Sequence, residues 1–310
     1  MFNIYTQILR SVKFIMSKKI KMLCIVLGML VIKSFSVSAS EDTGMQTAHN
    51  ENELTAVEQA KIYLNESCLG FSKEKLVEKL ISEYKLTQEQ AEQAANKLEK
   101  ENPNILNEQA LKEAKNYLKD SGISKESLID RLVKDKFTEE QINYAVKALE
   151  KGHSIIWSNQ ALEAAEHCLG LSIFSREYLI NCLKSYKFTE GQVGGAVSAL
   201  EFKNPNIWND QALKAAKYYL IQCNDSSREY LIDYLTSYKF TKGQAEKAAS
   251  KLEEENENIW INRALEAVKH YLKDYNGFSE DSLLELLIYK GFTQDQAESA
   301  VGKAFAENKK

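Results

Sequence analysis

A Thr-x-x-Gln tetrad, preceded by Phe or Leu and followed by an apolar residue, recurs five times, with its threonines at Thr87, Thr138, Thr189, Thr241 and Thr293. The separations are 51, 51, 52 and 52 residues. In such a tetrad the Thr hydroxyl accepts from the backbone N–H three residues on, while the Gln side chain reaches back to the Thr N–H, a capping box that opens a helix. One helix start at a fixed period means one supersecondary unit copied along the chain.

Two further helices fit inside each period. The first is expected after Leu106, Trp157, Trp208 or Trp260, with Asn107, Ser158 or Asn209 as the cap and the Trp or Leu closing a hydrophobic staple onto Leu111, Leu162 or Leu213. It runs through Ala114, Ala165 or Ala216 and ends in Tyr-Leu, as at Tyr117-Leu118 and Tyr219-Leu220. The second starts at Ser72, Ser124, Ser175, Ser227 or Ser279, with an acid two residues later (Glu74, Glu126, Glu177, Glu229, Asp281) that suits the positive end of the helix dipole. The third follows the tetrad. The expected fold is therefore all-α: five tandem trihelical, helix-turn-helix-like repeats of about 51 residues, at 54–105, 106–156, 157–207, 208–259 and 260–310.

A unit of that size buries too little surface to stand alone, so neighbours are expected to pack through short, partly apolar connections such as Asn204-Pro205-Asn206-Ile207-Trp208. The third and fourth copies agree at 14 of 18 positions between Ser175–Gln192 and Ser227–Gln244. Gly191, Gly194 and Gly195 crowd the third copy's last helix. At up to about 1 kcal/mol each relative to Ala, they make it the softest helix expected, unless they serve a close backbone contact.

Before the repeats, Arg10, Lys13, Lys18, Lys19 and Lys21 precede the apolar run Met22–Ile32, which is too short to cross a bilayer with ease. Small residues follow at Val37-Ser38-Ala39. This predicts a signal peptide over 1–39, cleaved after Ala39, with an uncleaved anchor as the competing reading and Met16 as an alternative start. Cys24 lies inside the apolar run behind Leu23, so no lipid attachment is expected. Residues 40–53 are polar and aperiodic, a flexible spacer.

Residues 1–39 hold six bases and no acid, which leaves 34 bases against 44 acids and a formal charge of −10 in the body. An acidic exported body with few Lys or Arg on its third helices is not expected to bind nucleic acid, despite the helix-turn-helix layout. Its electrostatic complement is a basic protein surface. Cys68, Cys168, Cys182 and Cys223 do not recur at equivalent places and form no disulfide framework, although Cys168 and Cys182 fall in neighbouring helices of one repeat, where pairing and simple packing both remain open. No metal-ligand spacing, P-loop, G-x-S-x-G or HExxH motif is present. The expectation is a protein without catalytic residues, metal, cofactor or small-molecule substrate.

The recurring candidates for contact are the tyrosines before the tetrad, Tyr84, Tyr186 and Tyr238, with the acids Glu177 and Glu229. They are read as a partner-binding stripe, with core packing of the tyrosines as the alternative.

The opening Trp208-Asn209-x-x-Ala212-Leu213-x-x-Ala216-x-x-Tyr219-Leu220, the centre Phe278-Ser279-x-x-x-Leu283 and the close Phe292-Thr293-x-x-Gln296-Ala297 resemble the host cell surface-exposed lipoprotein family, Ltp, five times over residues 54–310. The resemblance implies an exported protein of a Gram-positive bacterium or its prophage, located at the cell surface. It further implies superinfection exclusion, in which the surface protein stops an incoming phage from delivering DNA by engaging the tail's tape-measure protein. A basic segment of that protein would suit the acidic body. A general adhesion or envelope-interaction module is the alternative.

Overall fold

The structure, a computed structural model, describes residues 48–119, 122–153, 155–274 and 277–308. The expected signal peptide, Cys24 and residues 40–47 lie outside them. Among the described residues there are fifteen helices and no strand. They come in triplets: α1 (Ala48–Glu66), α2 (Lys73–Tyr84) and α3 (Gln88–Glu101); α4 (Ile105–Tyr117), α5 (Lys125–Lys134) and α6 (Glu139–Gly152); α7 (Ile156–Leu171), α8 (Arg176–Ser185) and α9 (Glu190–Lys203); α10 (Ile207–Gln222), α11 (Arg228–Ser237) and α12 (Lys242–Glu255); α13 (Ile259–Asp274), α14 (Glu280–Tyr289) and α15 (Gln294–Asn308). The residues fall into two compact units, one within Met1–Tyr117 and Leu128–His153, the other within Leu118–Ser127 and Ser154–Lys310.

All five capping boxes form. Gln90, Gln141, Gln192, Gln244 and Gln296 each accept from the threonine N–H at 2.9–3.1 Å, and each donates its own N–H to the threonine hydroxyl at 3.2–3.4 Å. The five serines cap the second helices as expected, each accepting from the N–H three residues on at 3.1–3.4 Å. Between second and third helices the chain turns through one left-handed residue, Lys85, Lys136, Lys187, Lys239 or Gly291. The N–H of the Phe or Leu that follows then bonds back to a leucine carbonyl of the second helix, as Phe137 does to Leu132 at 3.1 Å and Phe292 to Leu287 at 3.1 Å. That is a Schellman closure with its apolar residue folded inward.

Two leucines one turn apart anchor every second helix: Leu76 and Leu80, Leu128 and Leu132, Leu179 and Leu183, Leu231 and Leu235, Leu283 and Leu287, all at most 1 % exposed. In each triplet the first helix packs chiefly on the third. Alanines line that contact, for example Ala212, Ala215 and Ala216 of α10 with Ala245, Ala248 and Ala249 of α12. Small side chains let the axes approach closely.

Three expectations are corrected. The first helices begin at Ile105, Ile156, Ile207 and Ile259, ahead of the Leu or Trp after which they were expected to start, so Asn107, Ser158 and Asn209 sit inside the first turn and do not cap it. The reason lies upstream in three of the connections. Asn102, Asn204 and Asn256 each end a third helix, accept through their side chains from the N–H two residues on at 2.9–3.1 Å, and accept through their carbonyls from Ile105, Ile207 and Ile259 at 3.0 Å. The connection is closed before the Trp is reached. The Trp is consequently no staple: Trp208 and Trp260 are buried in the first turn and donate to Glu201 and Glu253 at 2.8 and 2.7 Å. Lastly, α1 starts at Ala48, so residues 48–53 of the expected spacer are helical. A helix nucleated further on propagates at one hydrogen bond per residue and meets no Pro or Gly there.

Candidate functional site

The second helix of each triplet ends where the next contact is made, and this decides the surroundings of the tyrosines and acids. In the first unit Ser72 donates to the carbonyl of Asp135 at 2.6 Å, and Lys75 and Tyr117 bond its carboxylate. In the second unit Ser127 donates to the carbonyl of Tyr186 at 3.1 Å. Asp135 and Tyr186 hold the same place in the repeat. The left-handed lysines face the first-turn acids of the preceding second helix: Lys136 to Glu74 at 4.0 Å, Lys187 to Glu126 at 3.1 Å, Lys239 to Glu177 at 3.8 Å. At the fourth such seam Gly291 stands in for the lysine against Glu229 and Ser227.

Glu177 and Glu229 are therefore seam residues. Tyr84 is half-buried in the core of the first triplet, edge-on to Tyr63 at 6.2 Å. Tyr186 is half-buried against Cys168 and Cys182, and burial, followed by those two neighbours, pushes its hydroxyl well above the usual tyrosine range. Tyr238 is 44 % exposed. The five do not converge on one site, but Tyr238 and Glu177 both lie at the seam of the third and fourth triplets, Tyr238 against Tyr178 and Glu177 against Lys239.

That seam carries a continuous run of rings. Tyr178 of α8 lies edge-on to Tyr238 at 6.2 Å, Tyr238 lies 4.6 Å from Tyr234 of α11, and Tyr234 stacks on Tyr219 of α10 at 4.0 Å. Burial, then the Tyr238 hydroxyl, pushes the Tyr234 hydroxyl upward. Tyr218, beside Tyr219, is half exposed. A row of rigid, amphipathic rings, with Tyr238 exposed within it and Tyr218 exposed beside it, provides large contact area at small entropic cost. Among the described residues no group of three His, Cys, Asp or Glu side chains is placed to hold a metal ion. No described helix is long and apolar enough to cross a membrane.

Three residues that matter to the seams escaped the sequence reading. Gln109, Gln160 and Gln211, all buried, accept from the N–H groups of Phe71, Ile123 and Phe174 at 3.4, 2.9 and 3.2 Å. Each satisfies the loop of the preceding copy, and in the fourth seam Arg263 donates to the carbonyl of Cys223 at 3.3 Å instead. The available signal was a polar residue recurring directly before an Ala-Leu pair with a buried alanine in the first helices of the second to fifth triplets. Gly70 and Gly122 belong to the same loops. A Cβ on Gly70 would stand 2.0 Å from the carbonyl oxygen of Gln109, and one on Gly122 would stand 2.4 Å from Ala164.

The span Ile105 to Leu149, which is α4 through most of α6, matches the family model of host cell surface-exposed lipoproteins, Lipoprotein_Ltp. The match is confined to the second triplet. The Ltp match takes in Gln109, the Thr138 capping box and the Leu128 and Leu132 pair, and it is narrower than the fivefold likeness in the motifs. Comparisons with curated proteins and with solved structures returned no match. The Ltp family's description as surface-exposed is in keeping with an exported or cell-surface location for this chain.

Proposed function

We propose that the protein is exported, acts at the cell surface by binding another protein and without chemistry of its own, and excludes superinfecting phage by blocking DNA injection. The observation that carries this reading is the tyrosine run from Tyr178 through Tyr238 and Tyr234 to Tyr219, with Tyr218 and Tyr238 open to solvent, on a chain whose second triplet matches a surface-exposed family. Exposed rings in an acidic body suit a partner that brings Lys or Arg, because cations sit well over tyrosine faces and are drawn by the opposite net charge. Carried over from the family resemblance, that partner is a basic segment of the phage tail tape-measure protein.

Cells making the full chain, and cells making a version lacking residues 1–39, are challenged with a phage panel, with adsorption and DNA entry scored separately. The reading expects normal adsorption, with DNA entry blocked by the exported form alone. Unchanged entry across the panel, with altered attachment of the cells to surfaces, would assign the protein to envelope adhesion instead.

A further inference from the structure

In the second, third and fourth triplets the fold brings one position near the end of the first helix against one position in the second. In the second triplet these are Tyr117 and Arg131, with the guanidinium 5.0 Å from the ring centroid. In the fourth they are Tyr219 and Tyr234, stacked at 4.0 Å. In the third triplet both positions are cysteine. Cys168 of α7 is buried, Cys182 of α8 is half-buried, and their sulfurs lie 3.7 Å apart as thiols. Tyr186, the counterpart of Tyr238, packs in the same core beside them. A contact filled by bulky rings or a guanidinium in the neighbouring copies is thus filled here by the one pair of side chains able to join covalently.

We propose that Cys168 and Cys182 form a disulfide that staples α7 to α8 when the chain meets an oxidising disulfide, such as that of an exported thiol oxidoreductase or glutathione disulfide. The proposal rests on the exported reading only for where that oxidant is met, since such bonds persist outside the reducing cytosol. The thiolate of Cys182, the more accessible, attacks one sulfur of the oxidant's disulfide and releases the other as a thiolate. Cys168, having lost its proton to solvent, then attacks the Cys182 sulfur and expels the remaining half of the oxidant as a second thiolate. Two protein thiols are oxidised and one external disulfide is reduced to two thiols. The sulfurs are already in van der Waals contact at 3.7 Å, and the bond closes by rotation of the two side chains. The staple falls in the copy whose third helix carries Gly191, Gly194 and Gly195, none of which meets a neighbour that would justify its lack of a side chain. It would lend the third triplet rigidity that its own α9 lacks.

The test uses the purified full chain equilibrated with oxidised glutathione or with dithiothreitol, alkylated under denaturing conditions and mapped by peptide mass. The oxidised sample is expected to yield a linked pair of peptides carrying Cys168 and Cys182, two hydrogens lighter than their sum. Its melting temperature should exceed the reduced form's by several degrees, the scale for closing a loop of about 15 residues. Cys182→Ala, at a half-buried position, should melt at the same temperature with either reagent. Recovery of both cysteines on separate alkylated or glutathione-bearing peptides would overturn the proposal, as would a reductant-dependent shift that survives in Cys182→Ala. A bond that forms in vitro but is absent from chain recovered from the cell would count against export, and not against the pair.

Discussion

Glu113 shows how a single side chain sets a seam. Its carboxylate accepts from the N–H of Gly70 at 2.9 Å, and burial pushes its pKa above the ordinary carboxylate value despite that bond and the one from Asn116. The sign follows from linkage: with the folded pKa raised, the stability it contributes is full below the unfolded value and is lost as pH rises through the folded one. Glu113→Gln keeps an acceptor for Gly70 and removes the charge. We expect this variant to melt above the parent at neutral pH, with the gap closing in acid, and thermal melts across pH 3–8 would expose an opposite trend. Gly122 makes the complementary prediction. At φ 70° and with Ala164 within 2.4 Å of any added Cβ, Gly122→Ala combines left-handed strain with overpacking against backbone. The expected loss is about 2–4 kcal/mol by denaturant titration, and a neutral result would mean that the loop does not seat against α7 in solution. Neither residue was legible from the sequence, because what each touches lies about 40 residues away and in another copy.

At the scale of the element, most of the molecule was legible. The capping boxes, the serine caps and the leucine pairs are contacts within one or two turns, and such contacts repeat wherever their sequence repeats. The starts of the first helices were misplaced for the converse reason. Asn107, Ser158 and Asn209 have good capping chemistry, but Asn102, Asn204 and Asn256 terminate the previous helix and open the next in one stroke, and that double use is visible only when both helices are present. The glycines of α9 are settled as well. Since Gly194 and Gly195 face open space, Gly194→Ala and Gly195→Ala should each stabilise the third triplet by about 0.5–1 kcal/mol. Slower amide exchange along α9 is the expected reading, and faster exchange would show that the glycines serve a contact after all.

Over the whole molecule, the sequence revealed which residues recur but not what recurrence places side by side. Tyr84, Tyr186 and Tyr238 share a position, yet they end in a core, against two thiols, and on a half-exposed ring run, because the partner position is filled differently in each copy. Glu177 and Glu229 read as surface acids and prove to face the left-handed turn of the following copy. The family match names a surface-exposed class through the second triplet, while the aromatic run that distinguishes this chain lies in the third and fourth. We therefore propose that binding, and with it exclusion, acts through the exposed rings of that seam, Tyr238 within the run and Tyr218 beside it. The decisive measurement is phage DNA entry into cells displaying either the parent chain or the double variant Tyr218→Ala, Tyr238→Ala, with equal surface amounts and unchanged adsorption verified. Block of entry by the parent and recovery of entry by at least tenfold in the variant is the predicted result. Entry blocked equally by both, or by neither, would contradict it.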